Sequence, residues 1–534
     1  MRSLLSLSLA RLLFYACSTH ALTFPVRVQS RADDRPAAGR LSARASSGNT
    51  ILPVHNTQNS EYITNITLGG REIPVLLDTG SSDLWVTGTI PETTDLGVAE
   101  SLSYAVGTAK GDINTADLQF GNYSVEDQAY LLVPNVSSFS IDIVANGFEG
   151  LIGLGPNTGS VIRDKMDDAK GDSVLARIFQ ENTTSSNYMS ILLSREGDSV
   201  TNISSGYMTI SEVLPGYESI TSMPKLSVMK DNKLTDLDQH WQTYTDKDGL
   251  IGPDGNPIEY DSIVPSAPDG QLVVVFDSGF TLPQVPRTVS DAIYGRVQGA
   301  EWNTEWDAWT IPCTQLLNIS FKFGGQTYPV HPLDVSSSDF DIVNSNGETV
   351  CLGTFQPIST SAFSLLGEYD MILGMAFMRN VYALFDYGNF VEDTSQDLGD
   401  PFIQLLSTTN LTAAHESFVQ ARLSGVDTTG NASQALLPAS EEQHSPESEE
   451  EKKQAYEEMV LSRWPEIFVG CLIFVLIVVG IIIWRCCFVR RRRKRAAEKG
   501  LLPSANANVS SYKQLAGSST ATLVDMQNMQ GKHV

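Results

Sequence analysis

The chain has 534 residues, 42% of them hydrophobic, with 36 basic and 62 acidic residues and a formal net charge of −26. This is long enough for two or three domains with a large buried core, and too apolar for a wholly disordered chain. The acidity excludes a nucleic-acid binder, because phosphate would be repelled.

The N-terminus reads as a secretory signal over residues 1–21. Arg2 gives a positive start, an apolar stretch broken by Arg11 runs from Leu4 to Cys17, and small residues lead to Ala21. Residues 22–55 begin rich in Arg, Ser and Ala with little periodicity, which fits a short pro-segment or leader. From about 55 to 405 the chain is strand-like. Runs such as Glu61–Leu68, Glu72–Leu77, Val125–Val133, Gln271–Phe276 and Val381–Asp386 are punctuated by Gly, Asn and Pro. Only Asp172–Gln180 and Val289–Val297 have the look of short helices, so the pattern predicts an all-β fold.

Residues 406–465 are rich in Ser, Thr, Ala and Glu and predict a disordered stalk. Ile467–Trp484 is 18 residues without a charge, close to the length needed to cross a hydrocarbon core, and predicts a transmembrane helix over 466–488. Arg485 follows, then Cys486, Cys487 and the basic run Arg490–Arg495, which marks a cytoplasmic side and a basic, disordered tail over 489–534. With a cleaved signal, this is type I topology, with partners that include the lipid bilayer. Cys486 and Cys487 read equally as palmitoylation sites or as free structural thiols. In the tail, Tyr512-Lys513-Gln514-Leu515 matches a tyrosine-based sorting pattern suited to endosomal or vacuolar traffic.

The net charge hides a segregation. Residues 1–50 carry seven Arg and two Asp, and residues 485–534 carry ten basic and two acidic residues. The middle of the chain therefore holds 19 basic and 58 acidic residues. Outside the signal and the span, only Cys313 and Cys351 remain, and in an oxidising lumen two cysteines most simply form one disulfide. Eight N-x-S/T sequons lie before the span, at Asn65, Asn122, Asn135, Asn182, Asn202, Asn318, Asn410 and Asn431, and suit a glycosylated ectodomain.

Two segments resemble each other. V-L-L-D-T-G-S-S-D-L-W runs from Val75 to Trp85, and V-V-V-F-D-S-G-F-T-L from Val273 to Leu282. Each is an apolar run ending in Asp, then Thr or Ser, then Gly. Each is followed later by an apolar-apolar-Gly element, Leu151–Gly153 and Ile372–Gly374. An internal duplication is the economical account.

On these motifs the sequence resembles the pepsin-type aspartic endopeptidases, the fungal ones most, over about residues 58–395. The resemblance implies two β-lobes, 56–215 and 216–405, each bringing one Asp loop to a central cleft, with Asp78 and Asp277 as the catalytic pair. Two close carboxylates cannot both ionise cheaply, so one keeps a proton. The charged member takes a proton from water while the neutral one donates to the scissile carbonyl, without metal or cofactor, and best in acid. By the same resemblance Gly80 and Gly279 permit the tight turns, and Thr79 and Ser278 brace the two loops. Ser81 bonds the first Asp. Tyr104, opening a Gly-rich flap with Gly107 as its hinge-like glycine, hydrogen-bonds Trp85. Cys313 and Cys351 match the C-lobe disulfide, and the substrate is an extended peptide or protein.

Three departures stand out. Phe280 replaces a Ser or Thr whose hydroxyl would bond Asp277, which should raise the pKa of Asp277, and Thr281 is the neighbouring hydroxyl. Only 26 positions separate Asp78 from Tyr104, so the loop after Trp85 is short. The leader has no obvious Lys–Asp plug. The leading expectation is a membrane-anchored aspartic endopeptidase at the plasma membrane or a vacuolar or endosomal membrane. The alternative is a catalytically impaired, protease-like binding or adhesion ectodomain on a stalk, with Phe280 as its support.

Overall fold

The computed structural model describes residues 51–447, apart from 58, 60, 105–106, 140, 167, 184, 196–205, 231–238, 359–368 and 392–397, together with Lys452 and the helix Trp464–Glu498. The signal, residues 22–50 of the leader, Asn202, most of 448–463 and residues 499–534 with Tyr512 lie outside the described residues, whereas residues 489–498, expected in the disordered tail, continue the helix.

The body is mostly strands. Arg71–Asp78 pairs antiparallel with Glu61–Leu68 and parallel with Gly150–Gly153, so that Asp78 stands beside Gly153. Val273–Phe276 repeats this plan. It pairs antiparallel with Gln242–Tyr244 and parallel with Met371–Leu373. Both Asp strands are covered on two faces, and so they read as apolar runs instead of alternating ones. The duplicated apolar-apolar-Gly elements are thus the parallel neighbours of the duplicated Asp strands. A side chain at Gly153 would lie 2.5 Å from the Asp83 backbone nitrogen, and one at Gly374 would lie 2.3 Å from the Phe280 carbonyl oxygen. Each glycine lets its strand end pass directly under the opposite arm of the Asp loop.

The two halves share a sheet. Tyr188–Leu192 pairs with Gly206–Ile210 on one side and with Val381–Asp386 on the other. Ile51–Thr57 adds next to Gly206–Ile210, and Phe402–Ser407 next to Val381–Asp386. Residues 51–55, expected in the leader, are therefore strand. Their alternate buried side chains, Leu52 and Val54, join the main core.

A buried ion cluster also crosses between the halves. Asp334, on the short helix Pro332–Val335, accepts from Arg379 Nε at 2.8 Å, Asn380 Nδ2 at 2.9 Å and Arg195 Nε at 3.1 Å, and a second Arg195 nitrogen also contacts it. Burial alone would raise the Asp334 pKa, but the Arg195 and Arg379 guanidiniums hold it well below the usual carboxylate range.

Glu61 has the opposite character. Burial pushes its carboxyl from 4.5 up to about 7, only partly offset by Asn146 Nδ2 donating to it at 2.9 Å. A carboxyl raised in the fold favours the neutral form. Its contribution is complete below the unfolded value and is lost as pH rises through about 7. Glu61→Gln should therefore leave the melting temperature at pH ~4 nearly unchanged and raise it at neutral pH, by the equivalent of at most about 3 kcal/mol. Thermal unfolding at the two pH values checks this, and equal shifts at both would contradict it.

The stalk expectation needs correction. Residues 406–447 are folded. Phe402–Ser407 finishes the shared sheet, and Leu411–Arg422 is a helix capped by Asn410, whose side chain accepts from the Thr412 and Ala413 N–H groups. That helix buries Ala414, Phe418 and Val419. The chain then runs back along the C-terminal half. Leu437 N–H donates to the Arg296 carbonyl at 2.7 Å, Gln443 N–H to Gly295, and Ser445 Oγ to Asp291 at 2.7 Å. Backbone pairing and a few well-placed apolar side chains order a segment whose composition alone looks unfolded.

A separate unit from Lys453 onward contains the helix Trp464–Glu498. Phe468–Arg495 within it is long and apolar enough to cross a membrane, judged by length and composition.

Candidate active site

Asp78 is the last residue of its strand, and Asp277 follows directly after Phe276. Both are about 95% buried. Their loops are mirror partners. Thr79 Oγ1 donates to the Phe276 carbonyl at 2.9 Å and accepts from Ser278 N–H at 2.9 Å. Ser278 Oγ donates to the Leu77 carbonyl at 2.8 Å and accepts from Thr79 N–H at 3.1 Å. Each hydroxyl thus bonds the backbone of the opposite loop, and four short bonds fix the two carboxyls relative to one another.

The glycines are dictated by that closeness. A Cβ on Gly80 would lie 2.1 Å from Asp277 Oδ2, and one on Gly279 would lie 2.4 Å from Asp78 Oδ1. Each carboxyl occupies the space a side chain would take on the facing loop.

The two carboxyls are held differently. Asp78 accepts from Ser81 Oγ at 2.5 Å and from Gly80 N–H at 2.9 Å. Asp277 accepts from Gly279 N–H at 2.7 Å and has no serine hydroxyl matching Ser81. Burial, and then the neighbouring Asp78 charge, push the Asp277 carboxyl well above its ordinary value, against hydrogen bonds from the backbones of Gly279 and Phe280. The direction expected from Phe280 is therefore present, but its leading causes are burial and Asp78. Phe280 packs instead against the cluster of Val275, Ile358 and Ile372.

Tyr104 ends the strand Thr94–Tyr104 and pairs with Gly107, which starts Gly107–Phe120, so the two strands form a hairpin. Its ring is a neighbour of buried Trp85, with centroids 6.4 Å apart. Burial, and then the Asp83 and Asp78 charges, raise the Tyr104 hydroxyl well above its ordinary value, which keeps it a donor. The hydroxyl lies near Ser81 and Trp85. The expected bond from the indole is not formed with good geometry, since Trp85 Nε1 has no hydrogen-bond partner among the described residues. Gly107 is not an open hinge. Its φ of +147° and the Phe139 backbone, 2.7 Å from where a Cβ would lie, make it a close-packing glycine.

Sequence reasoning missed two residues here. Asp83 caps the helix Val161–Met166 by accepting from Val161 N–H, Ile162 N–H and Ser160 Oγ, which anchors the far arm of the Asp78 loop. His240 Nδ1 lies 3.2 Å from the Gly80 carbonyl, and its ring meets Tyr369 edge-on. A carbonyl only accepts, so Nδ1 carries the proton. No motif marks His240, and Asp83 meets the helix start at Ser160 across 77 positions, so no local pattern reports its capping role.

Farther out, Cys313 and Cys351 form the disulfide. Of the sequon asparagines, Asn65, Asn122, Asn135, Asn318, Asn410 and Asn431 are exposed. Asn182 is half-buried, with its amide donating to the Ile178 carbonyl at 2.7 Å.

Paired Asp loops, one from each half of an all-β body, define the bilobal aspartic-protease class. The family model described as "Eukaryotic aspartyl protease" matches residues 61–99 and 92–392, and the chain belongs to that family. It is similar to "Major aspartyl peptidase 1" of Cryptococcus neoformans var. grubii, 24% identical over 366 residues, covering 62% of this chain and 67% of the relative. It is also similar to "Aspergillopepsin-1" of Aspergillus oryzae, 24% identical, covering 65% of this chain and 81% of the relative. "Aspartic protease 3" of Caenorhabditis elegans is 27% identical, covering 62% and 81%. The protein is an aspartic endopeptidase of the pepsin type.

Proposed function

We propose that Asp78 and Asp277 form the catalytic dyad of a membrane-anchored endopeptidase acting on extended peptide segments in acid. The observation that carries this reading is the asymmetry of the two carboxyls. Asp78 accepts the Ser81 hydroxyl and the Gly80 N–H, while Asp277, with no matching hydroxyl, is pushed toward the protonated form beside it. In this reading Asp78 takes a proton from a water molecule, whose oxygen attacks the scissile carbonyl carbon. Asp277 gives its proton to the carbonyl oxygen. In the collapse the carbon–nitrogen bond breaks as Asp78 passes the proton it took to the amine nitrogen, and a hydroxyl proton of the intermediate returns to Asp277. Tyr104, on the hairpin, closes over the cleft and excludes bulk water.

The detergent-solubilised full chain should cut denatured globin between about pH 3 and 6 and be stopped by a statine-type inhibitor. Intact substrate throughout, with folded protein, would remove the reading. A finer test uses Phe280→Ser. A hydroxyl donated to Asp277 favours its charged form and lowers its pKa. Because Asp277 must be protonated, the alkaline limb of kcat/KM against pH should move to lower pH, and a limb that stays in place would count against the assigned roles.

The ectodomain side is proposed to be luminal or extracellular, following a cleaved signal at 1–21, with N-glycans on the exposed sequons. The helix Trp464–Glu498 crosses the membrane once, with its basic end in the cytoplasm. The final membrane is the plasma membrane or a vacuolar or endosomal one, reached in the latter case through Tyr512. Endoglycosidase sensitivity of the full chain tests the orientation.

A further inference from the structure

We propose that Cys486 and Cys487 are S-acylation sites, each carrying a long-chain fatty acyl group in thioester linkage. This rests on the reading that the helix Trp464–Glu498 spans a bilayer with its basic end in the cytoplasm.

Depth is the first argument. The uncharged run Ile467–Trp484 has 18 residues, which at the helical rise is about 27 Å, against a hydrocarbon core of about 30 Å. Arg485 to Cys487 therefore fall at the boundary between acyl chains and headgroups, where the long side chain of Arg485 can reach the polar layer. The helix continues unbroken through this point, so both cysteines are held at that depth.

The lateral arrangement is the second. Trp484, Phe488 and Arg492 stack along one ridge, with the two rings 5.5 Å apart and the Arg492 guanidinium 4.9 Å over Phe488. At about 100° per residue, Cys486 lies on the face opposite that ridge and Cys487 on its flank. Both thiols are free and exposed. An acyl chain on either sulfur can fold back into the same leaflet without displacing the stacked aromatics.

Charge is the third. Arg490–Arg495, with Lys494 among them, put six cations just beyond the thiols. An anionic cytoplasmic leaflet attracts such a segment and keeps the helix end pressed to the surface, where acyl donors and membrane acyltransferases work. The step itself is a thioester exchange. The cysteine Sγ attacks the carbonyl carbon of a fatty acyl-coenzyme A, and a new carbon–sulfur bond forms. The bond to coenzyme A breaks, and the cysteine's proton ends on the released coenzyme A thiol. Cys471, four residues into the run and near its opposite end, has no such cationic boundary and is not a site.

The test uses the full chain in membranes of a eukaryotic host. Free thiols are reduced and blocked, thioesters are opened with neutral hydroxylamine, and the released thiols are tagged with a polyethylene-glycol maleimide. Hydroxylamine-dependent species with one and two tags are expected. Cys486→Ser and Cys487→Ser should each leave at most one tag, and the double variant none. Absence of tags on the unmodified sequence, or tags persisting in the double variant, overturns the proposal. Alkaline-carbonate resistance and glycan sensitivity are measured in parallel. If both hold and no tag appears, acylation alone is wrong. If either fails, the spanning reading is wrong and the proposal falls with it.

Discussion

Asp78→Asn and Asp277→Asn are each expected to lower kcat/KM on a peptide substrate by about a thousandfold or more while leaving the fold intact. An asparagine at 78 that keeps its oxygen toward Gly80 N–H can donate its Nδ2 to the Ser81 hydroxyl, which also accepts, so the loop has no reason to open. What it loses is the ability to take a proton from water. At 277 the amide fits the same space against Gly80 and can accept from Gly279 N–H, but it cannot deliver a proton to the carbonyl oxygen. The two losses should not add, because each removes one half of a single proton exchange. The double variant is expected to be no slower than the worse single one. Activity within tenfold of the unmodified protein in either single variant, at any pH, would mean that the dyad is wrongly assigned. Near-equal melting temperatures would confirm that the loss is chemical.

Asp334→Ala is expected to cost about 3–5 kcal/mol of stability, although it lies far from the cleft. The Asp334 carboxylate is 1% exposed and the Arg195 and Arg379 side chains 8% and 5%, so its removal takes away the buried carboxylate that both guanidiniums face. Arg379 also donates to the Asn59 carbonyl at 2.9 Å, so the damage reaches the first residues of the N-terminal half. The pH dependence has a definite sign. A carboxyl depressed in the fold contributes stability above its unfolded value, near 3.8, and loses it only as pH falls through the lower folded value. The deficit of Asp334→Ala should therefore be constant from neutral pH down to about pH 4 and shrink only in stronger acid. Chemical denaturation across that range measures it, and a deficit that disappears already by pH 5 would contradict the ion cluster. Together with Glu61, whose penalty appears only toward neutral pH, this gives a body suited to acid.

Much of the body was readable before any coordinates. Glu61–Leu68 and Val381–Asp386 are strands with the expected bounds, because strand composition and turn residues agree at both ends. The Asp loops were readable because chemistry and backbone shape constrain the same three positions in both copies. The rest depended on partners distant in sequence. Asp334 meets Arg195 across 139 positions, and neither residue has a local pattern. Helix Leu411–Arg422 buries only three side chains in a polar stretch, and its cap, Asn410, carries a sequon that drew attention to glycosylation instead. Gly107 and His240 are set by what packs against them, which no local spacing reports.

The shared sheet sets an order of events during synthesis. Tyr188–Leu192 keeps one edge unpaired until Val381–Asp386 has been made, almost two hundred residues later. A nascent N-terminal half therefore exposes a bare strand edge for most of the time it takes to make the rest of the body. Long-range pairing of this kind folds slowly and invites edge-to-edge association. The chain should depend on chaperones during that interval, and truncations ending before 381 should aggregate instead of forming a stable half-molecule.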